Sequence, residues 1–275
     1  MIRMTSAPGK LILSGEYSVV FGAPGIAIPA KRRFSIERED GTDWVLQWTH
    51  DPGPEWKAYA EKLAHLCGDF GAKPGTLRLK TDLPLGKGMG SSTSLVVAMA
   101  RATLEADRET ALALEDVMNP GHSGLDFTVI WEEKPLVFRK GHQPEALAID
   151  LGFLEASTLI DTGTPGEATP VLVDWVRSRL EELEEPLETI HQCTERLLGG
   201  ESPLTVFPDH HRAQVALGVV PAHVQELVSD IEKAGGAAKV VGAGGRTGGG
   251  GIVLALHTDP HILSSLSSPS GCRRL

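Results

Sequence analysis

Cysteine is scarce in this chain. Cys67, Cys193 and Cys272 are its only three in 275 residues. They are scattered and show neither the paired spacing of a metal knuckle nor a disulfide framework, which fits a reducing, cytoplasmic environment. Basic residues do not dominate either. A formal net charge of −10 argues against a general nucleic-acid binder, although local cations and helix ends can still hold a phosphorylated small molecule. No apolar run approaches the roughly 20 residues of a membrane span. The stretch Met1–Ser6 lacks the apolar core of a secretory signal. No internal repeat is visible. The expected partners are therefore small molecules, with no nucleic acid and no membrane, and a homodimer is compatible with the sequence. With 41% hydrophobic and 23% charged residues, the composition is that of a globular protein with one large or two packed domains.

Glycine, by contrast, is abundant. The chain has 31, concentrated around 86–90 and 242–251. The first cluster lies in Leu83-Pro84-Leu85-Gly86-Lys87-Gly88-Met89-Gly90-Ser91-Ser92-Thr93-Ser94, just before the apolar stretch Leu95–Ala100. Glycine lets backbone approach an anion closely, and a helix starting there points free N–H groups and its positive dipole end at the same spot. The segment reads as a phosphate cradle opening a helix. It is not a Walker loop, because Lys87 is followed by Gly88, and its third glycine comes too early for the dinucleotide fingerprint. Pro-x-Gly-x-Gly-x-Gly-Ser-Ser resembles the ATP loop of the GHMP small-molecule kinases. The resemblance implies that Pro84, Gly86, Lys87, Gly88, Met89, Gly90, Ser91, Ser92 and Thr93 hold ATP.

The remaining pattern alternates unevenly between strand and helix, which suits an α+β fold. Strands are expected over 7–15, 26–28, 77–80, 126–130, 135–138, 156–161, 239–241 and 252–256. Phe34–Arg38 and Trp44–Trp48 read as a hairpin around Asp40-Gly41. Helices are expected over 55–70, from the phosphate loop to about Ala106, over 168–200 with a break near Pro186, and over 222–234. The serine-rich tail from Ser264 to Ser270 is expected to fray.

Two further segments extend the resemblance, so that it runs from residue 7 to 256. Pro8-Gly9-Lys10-Leu11-Ile12-Leu13-Ser14-Gly15-Glu16-Tyr17 resembles the first GHMP motif in its mevalonate and phosphomevalonate kinase form. Lys239-Val240-Val241-Gly242-Ala243-Gly244 resembles the third, with a small insertion at Gly245–Thr247. Glu115 with Ser123-Gly124-Leu125-Asp126 resembles the mevalonate kinase pattern of a helix-borne glutamate followed by Ser-Gly-x-Asp. Chemistry gives these residues roles. Lys10 can neutralise charge developing on a phosphoryl acceptor. Asp126 can take or orient the proton of an attacking hydroxyl. Glu115 and the Ser92 hydroxyl can offer hard oxygens to Mg²⁺ carried by ATP. The resemblance places Glu16, Tyr17, Ser123, Gly124, Thr169, Gly242, Ala243 and Gly244 around the substrate. It also implies an N-terminal domain over 1–150 like domain 2 of ribosomal protein S5, and a ferredoxin-like domain over 151–275.

The chain departs from the family pattern at several points. Tyr17 stands where mevalonate kinases commonly carry histidine. Asn119-Pro120-Gly121-His122 replaces His-Gly-x-Pro. The adjacent His210-His211 pair reads as a helix-end or surface feature, since neighbours on a helix point apart. The expected activity is phosphorylation of mevalonate with ATP and Mg²⁺. The alternatives are a phosphomevalonate kinase, whose acceptor phosphate would want Lys31, Arg32, Arg33, Arg139 or Arg246, and a non-catalytic ligand sensor.

Overall fold

The computed structural model describes residues 3–265 and 272–274. The chain clusters into two compact units. The first holds the residues up to Lys10, Ile28–Leu85 and Met89–Lys134, and the second holds Leu11–Ala27, Gly86–Gly88 and Pro135 onward. The chain passes from one to the other within β1 (Arg3–Ser14) and β2 (Gly25–Asp40). No described helix is long and apolar enough to cross a membrane.

In the first unit, β2 pairs antiparallel with β4 (Gly75–Thr81), from Phe34↔Thr81 to Asp40↔Gly75. On the other side of β4 lies β3 (Val45–Trp48), parallel to it from Val45↔Thr76 to Trp48↔Leu79. This overturns the hairpin expected at 34–48. The turn at Asp40-Gly41 does not fold β3 onto β2, because β4 takes the place between them. An alternating pattern fixes which face a strand buries and leaves its neighbour open.

Four helices complete this unit: α1 (Pro54–Asp69), α2 (Ser91–Leu104), α3 (Arg108–Met118) and α4 (Leu125–Glu132). In α1, Pro54 supplies a preformed first turn, and Ala60, Leu63, Ala64 and Cys67 make the buried stripe. From Leu95 to Ala100 every residue of α2 is fully buried, so it is the central helix and the others pack on it. The Asp107 carboxylate caps α3 by accepting the Thr110 N–H at 2.8 Å.

The segment 126–130, expected as a strand, is the body of α4. Apart from Asp126, the residues Leu125, Phe127, Thr128, Val129 and Ile130 are all buried, so too few exposed positions mark a helical period. Short, mostly buried runs read alike in either state, and packing against α2 decides for helix.

The second unit contains an antiparallel four-stranded sheet ordered β10-β7-β9-β8, from β7 (Ser157–Asp161), β8 (Ala237–Val241), β9 (Ile252–Leu256) and β10 (Arg273–Arg274). Here the first residues of β2 pair with β5 (Leu136–Phe138), which pairs in turn with β6 (Glu145–Ala146). The core joins sheet residues Ile160, Val240 and Val253 to Leu263 and to four longer helices. These are α5 (Thr169–Arg177), α6 (Glu184–Leu198), α7 (Pro203–Ala216) and α8 (Ala222–Lys233). The helical break falls at 178–183 and not near Pro186. Pro186 sits in the first turn of α6, where its missing N–H has no intrahelical partner to lose. The short α9 (Pro260–Ser265) includes Ser264 and Ser265. The rest of the serine-rich tail expected to fray, 266–270, lies outside the described residues.

Candidate active site

The phosphate loop has the backbone its sequence asks for. Gly86, Gly88 and Gly90 have φ of 70°, 86° and 71°, and neither Lys87 nor Met89 has positive φ. Alternation of this kind turns successive N–H groups toward one concavity, the form of an anion nest. Two of these glycines are also required by close packing. A Cβ at Gly88 would lie 2.5 Å from the Val241 carbonyl oxygen, and one at Gly90 would lie 2.9 Å from Lys10 Cγ. Gly90 caps α2 with no side-chain hydrogen bond, so the first-turn N–H groups and the dipole serve the loop. The buried Met89 fixes the strand beneath, its carbonyl accepting the Lys10 N–H at 2.9 Å.

Lys10, on β1, and Asp126, in the first turn of α4, meet in the first unit. Lys10 Nζ lies 3.2 Å from Asp126 Oδ1, with the lysine side chain 3% exposed and the aspartate 36%. A buried ammonium needs such a partner, and the half-open carboxylate still faces solvent. Gly124, at φ 94°, turns the chain into α4. The Ser123 hydroxyl accepts the Leu125 N–H at 3.2 Å and so serves the local turn.

Glu115, on α3, is 1% exposed. Its Oε1 accepts the Thr93 hydroxyl at 2.7 Å, and its Oε2 accepts the Asn119 amide at 2.9 Å. Tyr59 donates its hydroxyl to the Asn119 side-chain oxygen at 3.2 Å. Burial pushes the Glu115 carboxyl above its usual range, and the two hydrogen bonds pull the other way. Ser92, beside Thr93, is half-buried. Sequence reasoning missed Asn119 and Tyr59. The signal available was that Asn119 follows Glu115 by four residues, one turn along the helix.

In the second unit Glu16 is sealed in. Lys239 donates to its Oε1 and also to the Ile12 carbonyl at 3.1 Å. His210 Nε2 lies 3.1 Å from its Oε2, and all three side chains are 2% exposed or less. Burial alone would raise the Glu16 carboxyl; the charge of Lys239 and the contact with His210 outweigh it and hold the group at about 2. Burial and the nearby ammonium lower the imidazole of His210. His210 and His211 are therefore not a surface or helix-end pair. They lie inside α7, 0% and 6% exposed, and no cluster of metal-ligating side chains occurs among the described residues.

Tyr17 has φ 64°, a strained conformation for a bulky residue. Its hydroxyl donates to the Ala243 carbonyl, joining the first motif to the third glycine loop. Burial raises its phenol above the ordinary range. The Gly242 N–H approaches Glu16 Oε1 at 3.4 Å. Gly244, at φ 70°, packs so closely that a Cβ would meet the Val219 carbonyl oxygen at 2.2 Å.

The remaining candidates fall elsewhere. Thr169 opens α5 and is exposed. Lys87 turns to Asp161, with Nζ 2.6 Å from Oδ2. Arg246 stacks over Trp175, 4.4 Å from the ring centroid.

Comparison with known proteins gives the family and the fold. The family model described as the GHMP kinases N-terminal domain matches residues 56–124. A mevalonate kinase of Pyrococcus horikoshii is 30% identical over 92% of this chain and 88% of its own length. Among solved structures, an L. major mevalonate kinase in complex with R-mevalonate superposes with a TM-score of 0.77 at 18% identity, over 99% of this chain and 94% of that one. The phosphomevalonate kinase of Streptococcus pneumoniae superposes at 0.70 and 16%, over 100% of this chain and 98% of that one.

Proposed function

Since the chain belongs to the GHMP kinase family, we propose that it transfers the γ-phosphoryl group of ATP to mevalonate, yielding 5-phosphomevalonate and ADP. The observation that carries the reading is the Lys10–Asp126 pair, 3.2 Å apart and packed against the glycine that opens α2. Phosphoryl transfer asks a protein mainly for positioning and charge stabilisation. The loop N–H groups and the α2 dipole hold the phosphates. Asp126 receives the proton of the attacking hydroxyl as its oxygen bonds to Pγ and the bond from Pγ to the leaving oxygen of ADP breaks. Lys10 offsets the negative charge that gathers at that oxygen.

Mg²⁺ enters with ATP as part of the substrate. The donor set fits a hard cation that keeps most of its phosphate and water ligands: one carboxylate, Glu115, and one hydroxyl, Ser92. Both Glu115 oxygens already accept a hydrogen bond, which would fix the carboxylate for such a role.

Mevalonate is favoured over its phosphate as acceptor, because three of the five cations a second phosphate would want already have other partners. Arg32 donates to the Asp82 carbonyl at 2.8 Å, Arg33 pairs with Glu133 at 2.8 Å and Arg139 with Glu195 at 3.2 Å. A ligand sensor has no use for a preserved Lys10–Asp126 pair. The three free thiols support a cytoplasmic setting.

The test is ADP release with MgATP and either mevalonate or 5-phosphomevalonate. Turnover on mevalonate alone is expected. Turnover on 5-phosphomevalonate alone would overturn the acceptor assignment, and silence on both would overturn the reading.

A further inference from the structure

We propose that Asp161 is a positioning residue for the phosphate loop. It holds the Lys87 ammonium, and through it fixes the peptide planes that bind the nucleotide. Lys87 Nζ lies 2.6 Å from Asp161 Oδ2, with the two side chains only 22% and 13% exposed. The other Asp161 oxygen accepts the Gly163 N–H at 3.0 Å, so both oxygens are committed.

The loop tip Gly86–Gly88 is seated by further contacts in the same unit. The Lys87 carbonyl accepts the Ile252 N–H at 3.1 Å. A Cβ on Gly251 would stand 2.7 Å from that same carbonyl oxygen. Asp161 itself heads a stiff frame. Thr162 donates its N–H to the Gly251 carbonyl at 2.9 Å, Gly249 to Thr164 at 2.8 Å, and Gly166 to Thr247 at 2.9 Å. Glu167 then accepts the N–H groups of Arg246 at 2.9 Å and Thr247 at 3.2 Å. The segment 162–167 is thus hydrogen-bonded along the inserted third glycine loop, and the ion pair fastens the phosphate loop to its head.

A nest binds anions through backbone N–H groups that already point correctly. Lys87 contributes by anchoring that backbone and leaves the phosphates to the N–H groups. The opposite role, a lysine that reaches the phosphates itself, gives the opposite sign when Asp161 is neutralised.

The inference rests on the reading that ATP binds this loop, and the experiment separates the two. A non-hydrolysable ATP analogue with Mg²⁺ is titrated calorimetrically onto the wild type, Asp161→Asn, Lys87→Met and the double variant. KM for ATP and kcat on mevalonate are measured beside it, and thermal melts confirm folding. Each single variant is expected to weaken binding and raise KM for ATP about tenfold, as for a partly buried pair, with kcat within about twofold. The double variant should be no weaker than either single one, since the two residues act as a unit. Tighter binding by Asp161→Asn, unchanged binding in both single variants, or additive losses in the double variant would overturn the inference and leave the ATP reading intact. A wild type that binds no nucleotide would overturn both.

Discussion

The two units each contain a lysine against a carboxylate, and the two pairs differ in what surrounds them. Lys239 and Glu16 are sealed at 0% and 2% exposure, with His210 at 3.1 Å and the Ile12 carbonyl on the ammonium. Lys10 is as deeply buried, but its partner Asp126 is 36% exposed. Both pairs neutralise a buried ammonium. Of the two carboxylates, only Asp126 remains open to solvent. What separates the two carboxylates is not charge type but remaining access to solvent. The sealed pair is architecture beside the third glycine loop, and the open pair is the one we propose for the chemistry.

That contrast can be broken in graded ways. The largest effect is expected from Lys10→Met, which keeps bulk and removes charge. Turnover should fall on the order of a thousandfold, within the range for loss of a charge-stabilising donor, and steady-state kinetics on mevalonate would show it. Next comes Glu16→Ala, which leaves the Lys239 ammonium buried without its carboxylate. Removing one partner of a buried pair costs about 3–5 kcal/mol, measured as a lower midpoint in urea unfolding.

A comparable loss is expected from acid alone. The His211 imidazole is lowered to about 4 by burial and neighbouring cations, against 6.5 when unfolded. The unfolded chain therefore binds more protons below pH 6.5, and stability falls as pH drops from there toward 4. Glu16 is held at about 2 against an ordinary 4.5. Its contribution, roughly 3 kcal/mol by the shift, is complete above pH 4.5 and is lost as pH falls toward 2. Urea midpoints from pH 7 to 3 should decline in these two stages, and Glu16→Gln should flatten the lower one. The smallest effect is expected from Tyr17→Phe. Losing its hydrogen bond to Ala243 should lower stability by about 1 kcal/mol in the same assay.

Much of this was legible in the sequence, for reasons particular residues explain. Gly86, Gly88 and Gly90 stand out because a nest ending in a helix restricts residue choice at fixed positions. Lys10, Glu115 and Asp126 were singled out because a phosphotransferase would need such groups beside such a loop, and the structure pairs Lys10 with Asp126. The Asp126 segment was misread as strand because the run 127–130 of α4 is buried throughout and too short to carry a helical period. The hairpin at 34–48 failed because strand order depends on β4, which lies thirty residues further along. His210 was placed on the surface because its partners, Glu16 and Lys239, are remote in sequence and nothing local signals burial. Asn119 and Tyr59 reach Glu115 in a chain, Tyr59 to Asn119 and Asn119 to Glu115, and only the four-residue spacing of the second link shows in the sequence.

The most direct test of the open pair is Asp126→Asn, assayed for single-turnover phosphoryl transfer to mevalonate beside calorimetric binding of the ATP analogue. The account predicts transfer slowed about a thousandfold, as for loss of a general base, with nucleotide affinity and melting temperature unchanged. Transfer near the wild-type rate would contradict it, and would remove Asp126 from the chemistry.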